Sequence, residues 1–331
     1  MTGAPQTPDT NPAPEGAVAD AVSGNWVDRY APAGARPYLR LSRADRPIGT
    51  WLLLLPCWWA VLLASAAHGW HWGNLWLMVG CALGAWLMRG AGCTWNDITD
   101  REFDAAVTRT RSRPIPSGQV TVRQAVAWMV VQSLIAFAIL LTFHPVAIAL
   151  GIGSLALVCI YPFAKRFTWW PQVFLGLAFN WGALLAWAAV TGSLSAAPIL
   201  LYLSGIAWTL FYDTIYAHQD AEDDAMIGVK STARLFGDNS PIWLRRFLVL
   251  SVFLMGAAAL AALLPGANAL QMALGIGAAW GFGWHMVWQM MQLDIDDPAR
   301  CLRLFRSNRD AGLIVCAFLL LATLAGTYST L

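Results

Sequence analysis

The sequence predicts an all-α integral membrane protein that crosses a bilayer nine times. Three observations carry this. Of 331 residues, 58% are hydrophobic and 12% charged, about half the charge of an ordinary soluble domain. Nine stretches are long and apolar enough to cross hydrocarbon. The basic residues avoid every second loop between those stretches.

The same composition excludes other classes. A soluble surface of this size needs more polar cover. Nineteen Trp and a mean hydropathy of +0.53 oppose disorder. A net charge of +2 is too small and scattered for a nucleic-acid binder. The six Cys contain no C-x-x-C pair, so no zinc or redox motif is expected.

Residues 1–25 place Pro5, Pro8, Pro12 and Pro14 among Thr, Asn, Asp and Gly, the composition of a disordered tail. They lack the apolar core of a signal peptide. Residues 26–46 mix Trp26, Tyr30, Tyr38 and Leu39 with arginines, which suits a segment lying at the membrane surface. Residues 47–331 form the transmembrane body. Its spans are expected near 48–67, 74–94, 122–143, 146–163, 171–191, 196–216, 245–264, 268–291 and 310–329.

Orientation follows from the positive-inside rule. Lys and Arg cluster before span 1 and between spans 2 and 3, 4 and 5, 6 and 7, and 8 and 9, with Arg89 late in span 2. The loops after spans 1, 3, 5 and 7 carry none. The N-terminus is therefore expected in the cytoplasm and Leu331 on the opposite side, in a bacterial inner membrane or an equivalent one.

Chemistry is expected on the cytoplasmic face, where two acidic runs leave spans 2 and 6. In the first, Asn96, Asp100 and Asp104 repeat at i, i+4 and i+8, one stripe of a continuing helix. Asp97 lies about 100° from that stripe. In the second, Asp213, Asp220 and Asp224 stand at i, i+7 and i+11, with Tyr216 on the same face. Like charges at this spacing repel. Two facing helix ends bridging Mg²⁺ to a diphosphate would neutralise them, because hard divalent cations take carboxylate oxygens together with substrate phosphates. A solvated acidic surface is the plainer alternative. Arg109, Arg111 and Arg113 follow the first run, Lys165 and Arg166 follow Tyr161-Pro162, and Lys230 follows the second run. Arginine forks match phosphate oxygens, although helix-end cations also serve as membrane anchors, and the arginines before span 9 are read as anchors alone.

At these residues the chain resembles the membrane-embedded aromatic prenyltransferases, in particular their branch acting on 4-hydroxybenzoate. The matching segments are Asp45-Arg46-Pro47-Ile48-Gly49-Thr50, Gly92 through Asp104, and Arg113-Pro114-Ile115-Pro116-Ser117-Gly118. They continue with Tyr161 through Arg166, Pro171 through Gly176, and Tyr212-Asp213-Thr214 through Asp224 to Thr232. The ordered match runs from about residue 40 to 240. Residues 1–30 have no counterpart, and His218 and Gln219 stand where apolar residues are expected.

The resemblance implies nine helices around a central cavity, with the active site at the cytoplasmic face. It implies polyprenyl diphosphate and 4-hydroxybenzoate as substrates, 3-polyprenyl-4-hydroxybenzoate for ubiquinone biosynthesis as product, and Mg²⁺ as cofactor. The motif N-D-x-x-D-x-x-x-D falls on Asn96, Asp97, Asp100 and Asp104, and D-x-x-x-D falls on Asp220 and Asp224. Asn96, Asp100, Asp104, Asp220 and Asp224 are then the metal residues. Arg109, Arg113, Lys165, Arg166 and Lys230 take the diphosphate. Arg43 or Arg46 pairs with the benzoate carboxylate, and Asp97 or Asp213 is the base. No nucleic acid and no obligate protein partner is implied.

Remaining features read as structural. Gly277-x-x-x-Gly281 fits close helix packing. Trp51, Trp58 and Trp59 fit an interfacial belt better than a donor channel. The cysteines read as small apolar residues. The stronger rival is a related membrane prenyltransferase with another aromatic acceptor, such as homogentisate or a naphthoate, since the Asp motifs do not separate these; a transporter is the rival class, but its binding groups belong near mid-membrane, where these spans hold essentially no charge.

Overall fold

The architecture was analysed in a computed structural model, which describes residues 24–106, 110–220 and 228–328. Every regular element among them is helical. The nine long helices are numbered here in chain order: α1 Ile48–His68, α2 Trp72–Thr99, α3 Val122–Leu140, α4 Pro145–Phe167 and α5 Pro171–Thr191. Then follow α6 Ala196–Ala217, α7 Ser240–Leu263, α8 Ala269–Gln292 and α9 Pro298–Tyr328.

Eight of these have the length and apolar composition to cross a membrane; α8 is the exception. It has 24 residues and no charged side chain, but Gln271, His285, Gln289 and Gln292 lower its hydropathy. Gln271 and Gln289 are buried and bonded inside the protein. Gln271 donates to the Ala66 carbonyl at 2.9 Å, and Gln289 exchanges hydrogen bonds with Asn308 at 3.0 and 3.2 Å.

Local signals set the helix ends. Thr121 with Gln124 and Asn268 with Gln271 form capping boxes that start α3 and α8. Pro145 and Pro171 occupy first-turn positions, where a missing N–H costs nothing. Helix α5 divides at Trp181 into Pro171–Asn180 and Gly182–Thr191. Asn180 Nδ2 donates to the Gly176 carbonyl at 2.9 Å, competing with the backbone for the same acceptor.

Helix α1 is the most buried span, packing on α2, α5 and α9. Helices α6 to α9 pack in sequence, and α9 returns onto α1. Gly277 and Gly281 do mediate packing: Phe318 and Ile314 of α9 fill the space beside them. Trp59 is not an interfacial residue. It is fully buried, donates to the Gly312 carbonyl at 2.9 Å, and packs on Trp208 and Phe282.

Two expectations about helix ends change. Helix α2 continues to Thr99, five residues beyond the expected end, which sets Arg89 well inside it. Helix α6 ends at Ala217 and tightens into a 3₁₀ turn, His218–Asp220. The α-helical run from Asp213 thus stops short of Asp220, since a 3₁₀ turn has a different period, and Asp224 lies outside the described residues. His218 contributes by bonding Ser240 at 2.9 Å. Residues 1–23, and with them nearly all of the expected tail, lie outside the described residues.

Candidate active site

Arg43 is the one described non-glycine residue with positive φ, at 57°. The helix Arg36–Leu41 ends there. The Ala44 N–H reaches the Leu39 carbonyl and the Arg43 N–H reaches that of Arg40, the paired bonds of a Schellman motif, whose left-handed position normally holds glycine. The conformation turns the Arg43 side chain onto Asp97 of α2. Nη1 donates to Oδ2 at 3.0 Å and Nη2 to Oδ1 at 2.6 Å. Asp97 is 0% exposed.

Arg113 joins the same group, with Nη1 2.8 Å from Asp104 Oδ2 and 3.4 Å from Asp97 Oδ1. Asp100 is held from α4 by Lys165 Nζ at 2.5 Å and Arg166 Nη2 at 3.3 Å. The Arg166 guanidinium also lies over the rings of Phe103 and Phe163. The expected stripe survives the end of α2, because the Asp100 N–H bonds to Asn96 O and the Asp104 N–H to Asp100 O. Burial raises the Asp104 carboxyl above its ordinary pKa; Arg113 pulls it back, and the charges of Asp97 and Asp100 push it further up.

Lys230 sits apart from these acids. Its backbone N–H bonds to the Lys165 carbonyl at 3.3 Å, and its ammonium lies over Trp169. Arg109 and Asp224, and the side chain of Asp220, lie outside the described residues.

Beneath the acids is a cavity of about 590 Å³, within the size range of small-molecule sites. Its wall comes from α1 to α6 and is mostly apolar, with Phe137, Phe143, Phe179 and Trp181 among its aromatic residues. Asn96 and four arginines, Arg43, Arg46, Arg89 and Arg113, reach it. Trp51, Trp58 and Trp59 do not line it.

Arg89 was counted in the sequence but given no role. It lies seven residues before Asn96, about 10 Å deeper along the helix. Its Nε is buried without a hydrogen-bond partner. Its guanidinium lies over the Phe179 ring at 5.3 Å and against Gly49. Asp213 is within its electrostatic reach, as are Tyr161 and Tyr212. Among the described residues Asp213 makes no ion pair within 4.0 Å. The available signal was a single cation inside a helical span, which marks a functional position by default.

Two carboxylates and an amide on one helix face are hard oxygen donors of the kind Mg²⁺ takes, and protein cations now neutralise them. Among the described residues no three His, Cys, Asp or Glu side chains close around one point.

Comparisons with known proteins show what the chain is similar to. A family model described as the UbiA prenyltransferase family matches residues 53–327. The chain is 46% identical over 321 residues to the human mitochondrial 4-hydroxybenzoate polyprenyltransferase, covering 96% of this chain and 83% of that protein. It is 44% identical to the mitochondrial 4-hydroxybenzoate polyprenyltransferase of Arabidopsis thaliana, covering 95% and 75%. Among solved structures, the apo UbiA homolog from Aeropyrum pernix K1 matches with a TM-score of 0.66 at 23% identity, covering 82% of this chain and 97% of that one. A UbiA homolog from Archaeoglobus fulgidus bound to GPP and Mg²⁺ matches with a TM-score of 0.64 at 18% identity, covering 88% and 99%. These two show the shared fold.

Proposed function

The chain belongs to the UbiA prenyltransferase family, and on that premise we propose that it transfers a polyprenyl group from polyprenyl diphosphate to 4-hydroxybenzoate. Carbon–carbon bond formation at the ring position ortho to the hydroxyl gives 3-polyprenyl-4-hydroxybenzoate for ubiquinone biosynthesis, with diphosphate as the other product. The observation that carries this reading is Arg89, a cation with an unpartnered buried Nε in the wall of a largely apolar cavity beneath an acidic motif. A buried cation of this kind calls for an anion, and an aromatic carboxylate supplies one on a flat apolar ring. The identity to relatives named for 4-hydroxybenzoate supports the same acceptor.

Arg89, with Arg46 beside the cavity, receives the acceptor carboxylate. Arg43, which shared that expectation with Arg46, is committed to Asp97 through two hydrogen bonds. Asp97 is likewise spent on Arg43 and Arg113. The proton from the ring or phenol therefore goes to Asp213. Arg113, Lys165, Arg166, Lys230 and Arg109 are assigned to the diphosphate charge. Asp100, Asp104, Asp220 and Asp224, with Asn96 orienting a ligand, would hold Mg²⁺, which when bound neutralises charge on the leaving diphosphate. Rupture of the carbon–oxygen bond leaves an allylic cation. Aromatic faces in the wall, such as Phe137, stabilise it by about 2 kcal/mol when desolvated, and the apolar wall keeps water away from it.

The acid motifs and the N-terminus face the cytoplasm in this reading, with α8 as a ninth span, Leu331 on the far side, residues 1–25 as a tail and 26–46 at the membrane surface. The one-sided distribution of Lys and Arg supports the orientation. A bacterial inner membrane is proposed for this chain, whereas the relatives' names place those proteins in mitochondria.

The test is prenyl transfer in purified membranes with radiolabelled 4-hydroxybenzoate and a long-chain polyprenyl diphosphate. Lipid-extractable product is expected with Mg²⁺, and none with EDTA or with Asp100→Ala. Product only with another aromatic acceptor would overturn the substrate while keeping the reaction class. No transfer to any acceptor from folded protein would overturn the class.

A further inference from the structure

Every described carboxylate of the first acidic motif already carries a cation supplied by the protein. Asp100 has both oxygens engaged, Oδ2 by Lys165 and Oδ1 by Arg166. A metal ion binding Asp100 therefore competes with two protein cations for the same carboxylate charge. Arg166 is also tied to the Thr99 carbonyl at 3.0 Å and to the rings of Phe103 and Phe163, whereas the Lys165 side chain, 31% exposed, holds Asp100 through its ammonium alone, so the lysine is the partner with fewer ties. Lys165 lies in the last turn of α4, three residues after Pro162. Proline has no N–H for the Val158 carbonyl, which loosens the turn's tie to the helix. The Lys165 carbonyl meanwhile accepts the Lys230 N–H at 3.3 Å, joining this turn to the loop that follows the second motif.

We infer that Lys165 is a placeholder cation: it neutralises Asp100 in the metal-free protein, yields it when a divalent cation binds, and passes its ammonium to the diphosphate. The inference rests on the reading of Asp100 as a metal ligand. Its consequence is thermodynamic. A metal binding alone must break an ion pair and leave a lysine without a partner. A diphosphate binding alone meets a lysine that is already engaged. Each ligand thus improves the site for the other, and linkage makes the effect equal in both directions.

The test uses the purified full chain, with Mn²⁺ as the probe followed by electron paramagnetic resonance, and with or without imidodiphosphate at fixed free Mn²⁺. Lys165→Met removes the charge while keeping the chain length. It is expected to bind Mn²⁺ alone about tenfold more tightly than wild type, because a cation beside the site is gone. Imidodiphosphate should then enhance Mn²⁺ binding less than in wild type. Lys165→Arg, which restores the charge, should return Mn²⁺ affinity toward the wild-type value. In the wild-type chain, where folding is not at issue, acylation of Lys165 by an amine-reactive reagent should speed up when Mn²⁺ is added.

Equal or weaker Mn²⁺ affinity in folded Lys165→Met would overturn the inference, since a lysine that only binds phosphate would lose affinity for imidodiphosphate alone. Unchanged acylation of wild-type Lys165 on saturation with Mn²⁺ would also overturn it. Absence of Mn²⁺ binding to wild type would overturn the underlying metal-site reading as well.

Discussion

The guanidinium of Arg89 lies so close to Gly49 that a Cβ on Gly49 would stand 2.5 Å from Nε and 2.7 Å from Nη2. Glycine at this position leaves a seat for the arginine in the cavity wall. A methyl group there meets the far end of a flexible side chain, which yields before the backbone does. Gly49→Ala is therefore expected to fold, to displace Arg89, and to weaken acceptor binding by about tenfold, the loss of roughly one charge-assisted hydrogen bond. Steady-state kinetics with each substrate varied in turn checks this. KM for 4-hydroxybenzoate should rise while KM for the prenyl donor stays the same.

The Arg43–Asp97 pair sets a strained backbone against a buried ion pair. A left-handed non-glycine residue costs about 1–2 kcal/mol, and breaking a buried pair costs about 3–5 kcal/mol. Arg43→Gly removes both, so its net effect is destabilising but smaller than that of Arg43→Ala, which keeps the backbone cost. Asp97→Asn in the Arg43→Gly background should recover part of the loss, because it removes a buried carboxylate left with only the 3.4 Å contact to Arg113. Thermal denaturation of the four proteins in one detergent orders them.

Much of this arrangement was legible in the residues. Spacing alone paired Asn96, Asp100 and Asp104, since the bonds across Asp100 preserve the helical register. Alternation of charge between loops marked the spans because the bilayer imposes it. Arg89 stands out in the sequence as a lone cation inside a span, but a late-span arginine reads equally as an anchor, and only the continuation of α2 to Thr99 sets it deep in the cavity wall. The pairing of Arg43 with Asp97 joins residues 54 apart through a left-handed turn, and no local pattern announces such a turn at arginine. Trp59 was misjudged because aromatic residues near span ends look alike until packing on Trp208 and Phe282 separates core from belt.

Asp28 ties the helix Trp26–Tyr30 to Arg40, with 2.8 Å between Oδ1 and Nη2. Burial alone would raise the Asp28 pKa, but hydrogen bonds from Arg40 and Asn25 and nearby positive charge carry it below the ordinary 3.8. A carboxyl depressed in the folded state contributes stability above its unfolded pKa, and that contribution is lost as pH falls through the folded value. Asp28→Asn should thus lower the thermal midpoint at pH 7, and its difference from wild type should shrink as pH falls below about 4. A difference that persisted unchanged at pH 3 would assign the effect to shape rather than charge.

Gly277 and Gly281 face α9 at different points, and the two predictions differ accordingly. A Cβ on Gly277 would stand 2.7 Å from Phe318 Cε1, and one on Gly281 would stand 2.7 Å from Ile314 Cγ2 and 3.0 Å from Phe318 Cε2. The Phe318 ring is only partly buried and has room to turn, whereas a β-branched isoleucine is held to few rotamers. Overpacking of this kind costs about 1–3 kcal/mol. Gly281→Ala is therefore expected to destabilise more than Gly277→Ala. Ile314→Val should relieve little of the Gly281→Ala loss, since valine keeps the Cγ2 methyl that makes the contact. Ile314→Ala removes that methyl and should recover part of it. Non-additivity in this double-mutant cycle, read as thermal midpoints, locates the cost at the α8–α9 contact.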